Sequence, residues 1–455
     1  MRLPVREVLD ALSRDYHPPL YFLLLYAWQR APLGLDAVAQ ARALSVVFAL
    51  AATVAADRLW ARQLPAGGRI TFLALWSLSP CLLLYSRMCR SYSLQVLVAT
   101  AAAPCVLGFA ERRSRAGGII LALLLATAFY THYVLGLTLL AAANLALLRK
   151  RRGRDAMAID AAVALAYLPW AAILAHALGG WSVHSPHYFL TGGALTDTPV
   201  QIAYGTMSLM MGEAQPDAFL VLGCLAAPLV GALAITGARR NPPLAWLAAT
   251  LTAVGFVGVA HWVSYPFVPA RMLFVFPPLL FLFVTGAMAR PRAGAVAVAA
   301  MLALSVAGIW CYFHKTGYRN KQYAMPLKEI AGLIQRSSAA GDSAVLVDSV
   351  NSDNVALAYC LGRSRPVLDT AGPETPRTVA ALLAAPRVRT LWFLRSLHDI
   401  SRGKLDEGFE RQIGAAMAAT VHPYGRFSPL ETRLMRALGM INPPAYFQEL
   451  LEFRR

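Results

Sequence analysis

Charge is scarce in this chain. Only 15% of its 455 residues are charged and 57% are hydrophobic, against about 25% charged in soluble domains. With a mean hydropathy of +0.50, an ordinary soluble protein is excluded. Lysine and arginine are absent altogether from residues 179–215. The cysteines (Cys81, Cys89, Cys105, Cys224, Cys311 and Cys360) lie mostly in apolar stretches, with only Cys360 in a polar tail, which argues against a disulfide framework or a zinc cluster. No His-Glu-x-x-His, clustered carboxylate or Cys-x-x-Cys arrangement marks a tight metal site. The tail has no GxGxxG or Walker-type loop, so no nucleotide is assigned to it. No basic helix is interleaved with stacking aromatics, so the net charge of +18 does not imply nucleic acid. No apolar run precedes residue 18, so the amphipathic start is neither a signal peptide nor a span.

What is present is a succession of long apolar runs. Spans are expected near 38–56, 70–86, 92–110, 118–131, 133–148, 157–178, 216–236, 243–264, 271–289 and 294–313. Bilayer crossing takes roughly 17–25 apolar residues as a helix, so the 118–148 pair is short and is assigned partly by parity. Residues 18–31 are shorter still and fit an interfacial helix. Every second junction is basic: Arg58, Arg62 and Arg69; Arg112, Arg113 and Arg115; Arg149 to Arg154; Arg239 and Arg240; Arg290 and Arg292. Such junctions face the cytoplasm, which would deliver residues 314–455 to the outside of a cytoplasmic membrane. In that tail, helical spacing over 326–338, an apolar run at 344–347, a helix near 352–361 and strands near 366–369 and 388–394 predict a small α/β domain. The expected architecture is an α-helical polytopic membrane protein, about ten spans plus an interfacial helix over 1–313, followed by an outer α/β domain over 314–455.

Candidate chemistry gathers at the junctions expected outside. Asp15, Tyr16, His17, Pro18, Pro19, Leu20 and Tyr21 bring an acid, an imidazole and two phenols to the point where the chain enters the membrane. A carboxylate there can be desolvated and act as a general base, or it can cap a Pro-initiated helix while the tyrosines anchor the interface. Ser86-Arg87-Met88-Cys89-Arg90-Ser91-Tyr92 places two arginines at a membrane edge. Guanidinium groups grip phosphate in fork geometry, although arginines also snorkel. Arg271 invites the same reading, and Tyr130-Thr131-His132-Tyr133 adds a histidine at a helix end. His184 and His187 in the long loop are weaker candidates.

Together these segments resemble one family. Asp15 to Phe22 is similar to the Asp-x-His-Pro-Pro-Leu-Tyr-Tyr block of polyprenyl-phosphate-sugar-dependent membrane glycosyltransferases of the GT-C fold, the mannosyltransferase and arabinosyltransferase group related to protein O-mannosyltransferases. Arg42-Ala43-Leu44-Ser45 resembles its Arg-Leu-Pro-Ser. Ser86 to Leu94 resembles its Ser-Gln-Glu-Ala-Arg-x-Tyr-x-Leu with Arg90 and Tyr92 in register, but Arg87 and Met88 replace the Gln-Glu. Tyr130 to Tyr133 and Pro269 to Leu273 match two later landmarks. The resemblance covers about residues 8–313. In that family an Asp-Glu pair after a first span holds the usual catalytic acid, and this chain begins downstream of both. The base is therefore expected to be Asp15, with Glu7 and Asp10 in reserve, unless the start is truncated.

The resemblance implies sugar transfer from a polyprenyl-phosphate donor to a glycolipid, polysaccharide or protein acceptor, at the outer face and with inversion. Asp15 would be the base. Arg87, Arg90 and Arg271 would hold the phosphate, and His17, Tyr21, Tyr92, His132 and Tyr133 would position the donor. No cofactor is certain, though a divalent metal ion is possible. The competing readings are a carrier or flippase for a lipid-linked saccharide, and an inactive truncated homologue.

Overall fold

The computed structural model describes residues 4–14, 17–178, 205, 207–262, 269–319, 321, 325–348, 353–362, 365–370, 375–397, 408, 410–437 and 444–455. It divides into a helical unit ending at Gly317 and a smaller unit over Tyr318–Arg455.

The helical unit comprises α1 (Val5–Arg14), α2 (Leu20–Trp28), α3 (Ala37–Leu59), α4 (Ala66–Ser77), α5 (Pro80–Ser86), α6 (Tyr92–Glu111), α7 (Arg115–Thr131), α8 (Tyr133–Arg149), α9 (Gly153–Leu178), α10 (Asp217–Arg240), α11 (Pro242–Trp262), a 3-10 helix at Pro269–Val275, α12 (Phe276–Ala289) and α13 (Pro291–His314). Among the described residues, six helices are long and apolar enough to cross a membrane, and a seventh span results if α4 and α5 count as one. The ten-span expectation exceeds this by three: α7 and α8 have only 17 residues each, and the third, over 243–264, counts only as the shorter apolar stretch Pro242–Phe256. The apolar run at 70–86 is also not one helix: α4 and α5 meet at a 49° bend. Pro80 lacks an N–H and disfavours helical backbone in the residue before it. Ser79 caps the new helix, its Oγ accepting from Leu82 N–H at 3.3 Å.

Two thirds of the α6 window (67%) is buried, against 17% of the α9 and α10 windows. The interior is therefore built on α6, which packs against α3, α7, α8 and the 3-10 helix, together with the equally enclosed Met272–Ala289 segment, 72% buried. Outward-facing residues are apolar, including Leu50, Leu123, Leu165, Leu225 and Val296. A bilayer is the solvent such a surface suits. The antiparallel helices sort their termini. Asp57 bonds Arg69 at 2.8 Å, Arg113 and Arg152 pair with Asp155 at 2.8 and 2.7 Å, and Lys150 pairs with Glu111 at 2.8 Å. These pairs mark the end where the basic junctions gather.

Helices α10 and α12 touch through glycines. A Cβ on Gly286 would lie 1.8 Å from Leu233 O, and one on Gly237 would lie 1.9 Å from Leu282 O. Since both obstacles are backbone, only a shift of a whole helix makes room. Gly286→Ala is expected to destabilise by about 1–3 kcal/mol, as overpacking does, seen as a lower thermal midpoint of the detergent-purified protein. Gly231→Ala, where a Cβ meets nothing within 4 Å, should leave the midpoint unchanged. Equal midpoints for wild type and Gly286→Ala would mean the helices are not in this contact.

The second unit holds α14 (Leu327–Ser337), β1 (Ser343–Val347), α15 (Asp353–Leu361), β2 (Val367–Asp369), α16 (Thr375–Ala384), β3 (Thr390–Ser396), β4 (Ala418–Arg426), α17 (Pro429–Ala437) and β5 (Tyr446–Arg454). The sheet order is β2-β1-β3-β5-β4. β1 runs parallel to β2 and β3, while β5 is antiparallel to β3 and β4. Alternate residues feed two cores: Val345, Val347, Trp392 and Leu394 pack with Ile330, Ile334 and Leu357, whereas Ala344, Leu346, Leu391 and Phe393 pack with Val379 and Ile413. This alternation is the period of two that a strand imposes. Ser428 and Glu431 form a reciprocal cap on α17 at 2.7 and 3.2 Å, and Glu431 also receives Lys321 at 2.9 Å. The six cysteines are all free.

Candidate functional site

The end of the bundle opposite the basic junctions carries most of the candidate residues. Asp15 and Tyr16 lie outside the described residues, as do His184 and His187. His17 follows directly: its backbone N–H donates to Leu12 O at 3.0 Å, and its ring meets Phe22 edge-on at 5.7 Å. α2 docks against α3 and α7. A corner staple fixes it, because Trp28 Nε1 donates to Gln40 O at 2.8 Å while Gln40 Nε2 donates to Trp28 O and Ala31 O at 2.7 and 2.8 Å.

Tyr21, expected to position the donor, has its side chain fully buried. Its hydroxyl pairs with Ser45 Oγ at 2.7 Å, and Ser45 Oγ donates to Met88 O at 2.6 Å. Tyr21 thus fastens α2 to α3, and through Ser45 to the turn that holds the arginines. Arg42 stands one helical turn before Ser45 on the same face and lies within electrostatic reach of Cys89 and Tyr312.

In the turn between α5 and α6, Arg87 and Arg90 are both exposed. The Arg87 guanidinium sits 4.6 Å above the Tyr312 ring near the end of α13, a cation–π seat. Tyr92, the first residue of α6, meets Tyr85 edge-on at 5.2 Å. Tyr85 is buried, and its hydroxyl donates to the buried carboxylate of Glu213. Arg271 lies in the 3-10 helix Pro269–Val275, which packs against α5, α6 and α8. The sequence's candidates at 21, 87 and 92 therefore lie in one region with Ser45, Tyr85, Glu213 and Tyr312, and Arg42 one turn before Ser45, none of which the sequence assigned a role in the site. For Arg42 and Ser45 a signal existed in the Arg-Ala-Leu-Ser segment; for Tyr85, Glu213 and Tyr312 it did not.

His132 and Tyr133 make a different set of contacts. His132 breaks α7 from α8: its N–H donates to Ala128 O at 2.8 Å, and its carbonyl accepts from Gly136 at 3.0 Å. Tyr133 accepts from Trp170 Nε1 at 3.1 Å, and Tyr130 donates to Ala166 O at 3.0 Å. Both bonds bind this junction to α9. Among the described residues no three His, Cys, Asp or Glu side chains gather in a way that would hold a metal ion.

This multi-span helical unit, followed in sequence by a small α/β unit, has the GT-C fold. Among solved structures, ArnT from Cupriavidus metallidurans in the apo state aligns with a TM-score of 0.52 and 13% identity, over 96% of this chain and 87% of that one, which shows the fold. Arabinofuranosyltransferase AftD from Mycobacteria aligns at 0.42 and 16% identity, over 97% of this chain and 37% of its own. No family model and no curated protein sequence matches the chain.

Proposed function

We propose that the protein is a membrane glycosyltransferase. It moves a sugar from a polyprenyl-phosphate donor to a hydroxyl of a glycolipid, polysaccharide or protein, at the outer face of the cytoplasmic membrane. The observation that carries this reading is the Arg87 guanidinium seated on the Tyr312 ring, with Arg90 exposed in the same turn, at the helix ends away from the basic junctions. Cations held on aromatic faces at membrane depth suit an anion whose tail is a lipid.

In the reaction, Asp15 takes the proton of the acceptor hydroxyl. The acceptor oxygen bonds the anomeric carbon from the side opposite the phosphate. The bond from that carbon to the phosphate oxygen breaks, and its electron pair leaves on polyprenyl phosphate, so the configuration inverts. Arg87, Arg90 and Arg271 stabilise the charge that accumulates on the leaving phosphate. Tyr92 and His17 orient the donor, with His132 and Tyr133 lining the approach.

The bend between α4 and α5 favours a second reading, because broken spans are also a feature of carriers. Right-side-out membrane vesicles test both readings together. Supplied with polyprenyl-phosphate sugar and crude acceptor, they should release free polyprenyl phosphate, and added protease should trim residues 318–455. Movement of the lipid-linked sugar without release of polyprenyl phosphate would make the protein a carrier. Protection of the tail from protease would place the site on the other side.

A further inference from the structure

Glu213 is the only carboxylate fully buried among the described residues of the helical unit. It reaches the interior on a segment with tightly fitted neighbours. Gly212 adopts φ +80°, a conformation that favours glycine, and a Cβ there would lie 2.6 Å from the Pro80 Cβ. Gln215 donates to Leu304 O of α13 at 2.8 Å, and its N–H bonds Gly317 O at 3.0 Å. On α13, a Cβ at Gly308 would lie 2.6 Å from Gln215 Nε2. The chain on either side of Glu213 is thereby wedged between α5 and α13.

What Glu213 grips is the far end of α5. That helix has only 7 residues and is cut from α4 by the bend at Pro80, so its own hydrogen bonds do little to hold it. The turn beyond it must be fixed from outside. Ser45 holds Met88 from α3, Tyr312 holds Arg87 from α13, and Glu213 holds Tyr85, two residues before Arg87. Burying a carboxylate is costly where an apolar side chain would fill the space. A hydroxyl bonded to a carboxylate, however, is shorter and stiffer than one bonded to a neutral acceptor.

Resting on the glycosyl-transfer reading above, we propose that Glu213 is a positioning residue for the phosphate-binding turn, acting on Arg87 through the Tyr85 hydroxyl. The test uses the full chain in lipid nanodiscs with a C55 polyprenyl phosphate as the probe. Glu213→Gln and Tyr85→Phe, both close in shape to the originals, should each weaken binding about tenfold, the scale of one charge-assisted bond. Tyr85→Phe leaves a buried carboxylate short of one donor and should lower the thermal midpoint, so affinity is compared on folded protein well below every midpoint. Because the two groups act in series, the double variant should bind no more weakly than the worse single. A purely structural role would lower the midpoint and leave the affinity of the folded protein unchanged, which overturns the proposal. So would full affinity in both variants, or losses that multiply in the double. Unchanged affinity with abolished sugar transfer in Glu213→Gln would instead make Glu213 a reacting group. If the wild type itself does not bind the probe, the glycosyl-transfer reading falls and takes this one with it. Should Glu213→Gln fail to fold, Tyr85→Phe decides alone.

Discussion

Asp15→Asn is expected to reduce the release of polyprenyl phosphate by about 10²–10⁴-fold, the range for losing a general base. Asparagine keeps the size and capping ability of the side chain but cannot take the acceptor proton. Purified wild type and variant would be incubated with polyprenyl-phosphate sugar and acceptor, and the free lipid phosphate followed over time. The wild-type rate should rise with pH through the pKa of the base, because only the ionised carboxylate accepts a proton, and the variant should lose that rise. The residue stands between α1 and His17, whose N–H is tied back to Leu12. A different acid on α1 is the natural alternative: Glu7 and Asp10, three residues apart, share one exposed helix face. Equal rates from wild type and Asp15→Asn would transfer the role to one of them or to a carboxylate elsewhere.

The helices of the membrane unit were legible because bilayer burial needs long apolar runs, and those runs survive in sequence whatever they pack against. The same property hid the bend at Pro80, since the run from α4 into α5 stays apolar across it. In the second unit, β1 and α14 announced themselves by a buried run and helical spacing. β4 and β5 did not. β4 contains Pro423 and Gly425 and pairs on one side only, as an edge strand can, and so shows no clean alternation. At the site, Tyr21 was visible but its direction was not: a tyrosine entering the membrane reads the same whether it faces a lipid or, as here, Ser45. Glu213 was unreadable for a different reason. Its partner Tyr85 lies 128 residues away, and no local pattern records a bond between two single residues so far apart. What sequence conveys well is periodicity and motif; what it withholds is which lone polar residue from a distant segment closes the site.

Arg90→Ala is expected to remove about 2–4 kcal/mol of transition-state stabilisation, the scale of losing one preorganised donor to a developing anion. Of the arginines in the α5–α6 turn, Arg87 is seated on Tyr312, while Arg90 is exposed and its backbone N–H closes the turn onto Met88 O at 2.8 Å. That backbone bond survives any side-chain change, so the turn should keep its shape while the charge disappears. Arg90→Lys should recover only part of the rate, because an ammonium restores charge without the planar fork that grips two phosphate oxygens. The kinetics distinguish the grip from simple recruitment. If the guanidinium acts on the leaving phosphate, kcat and kcat/KM fall together; if it only gathers the anionic donor, KM rises and kcat holds. Full transfer by both variants would leave Arg90 a snorkelling side chain and move the phosphate contact to Arg87, the arginine that the structure seats on Tyr312.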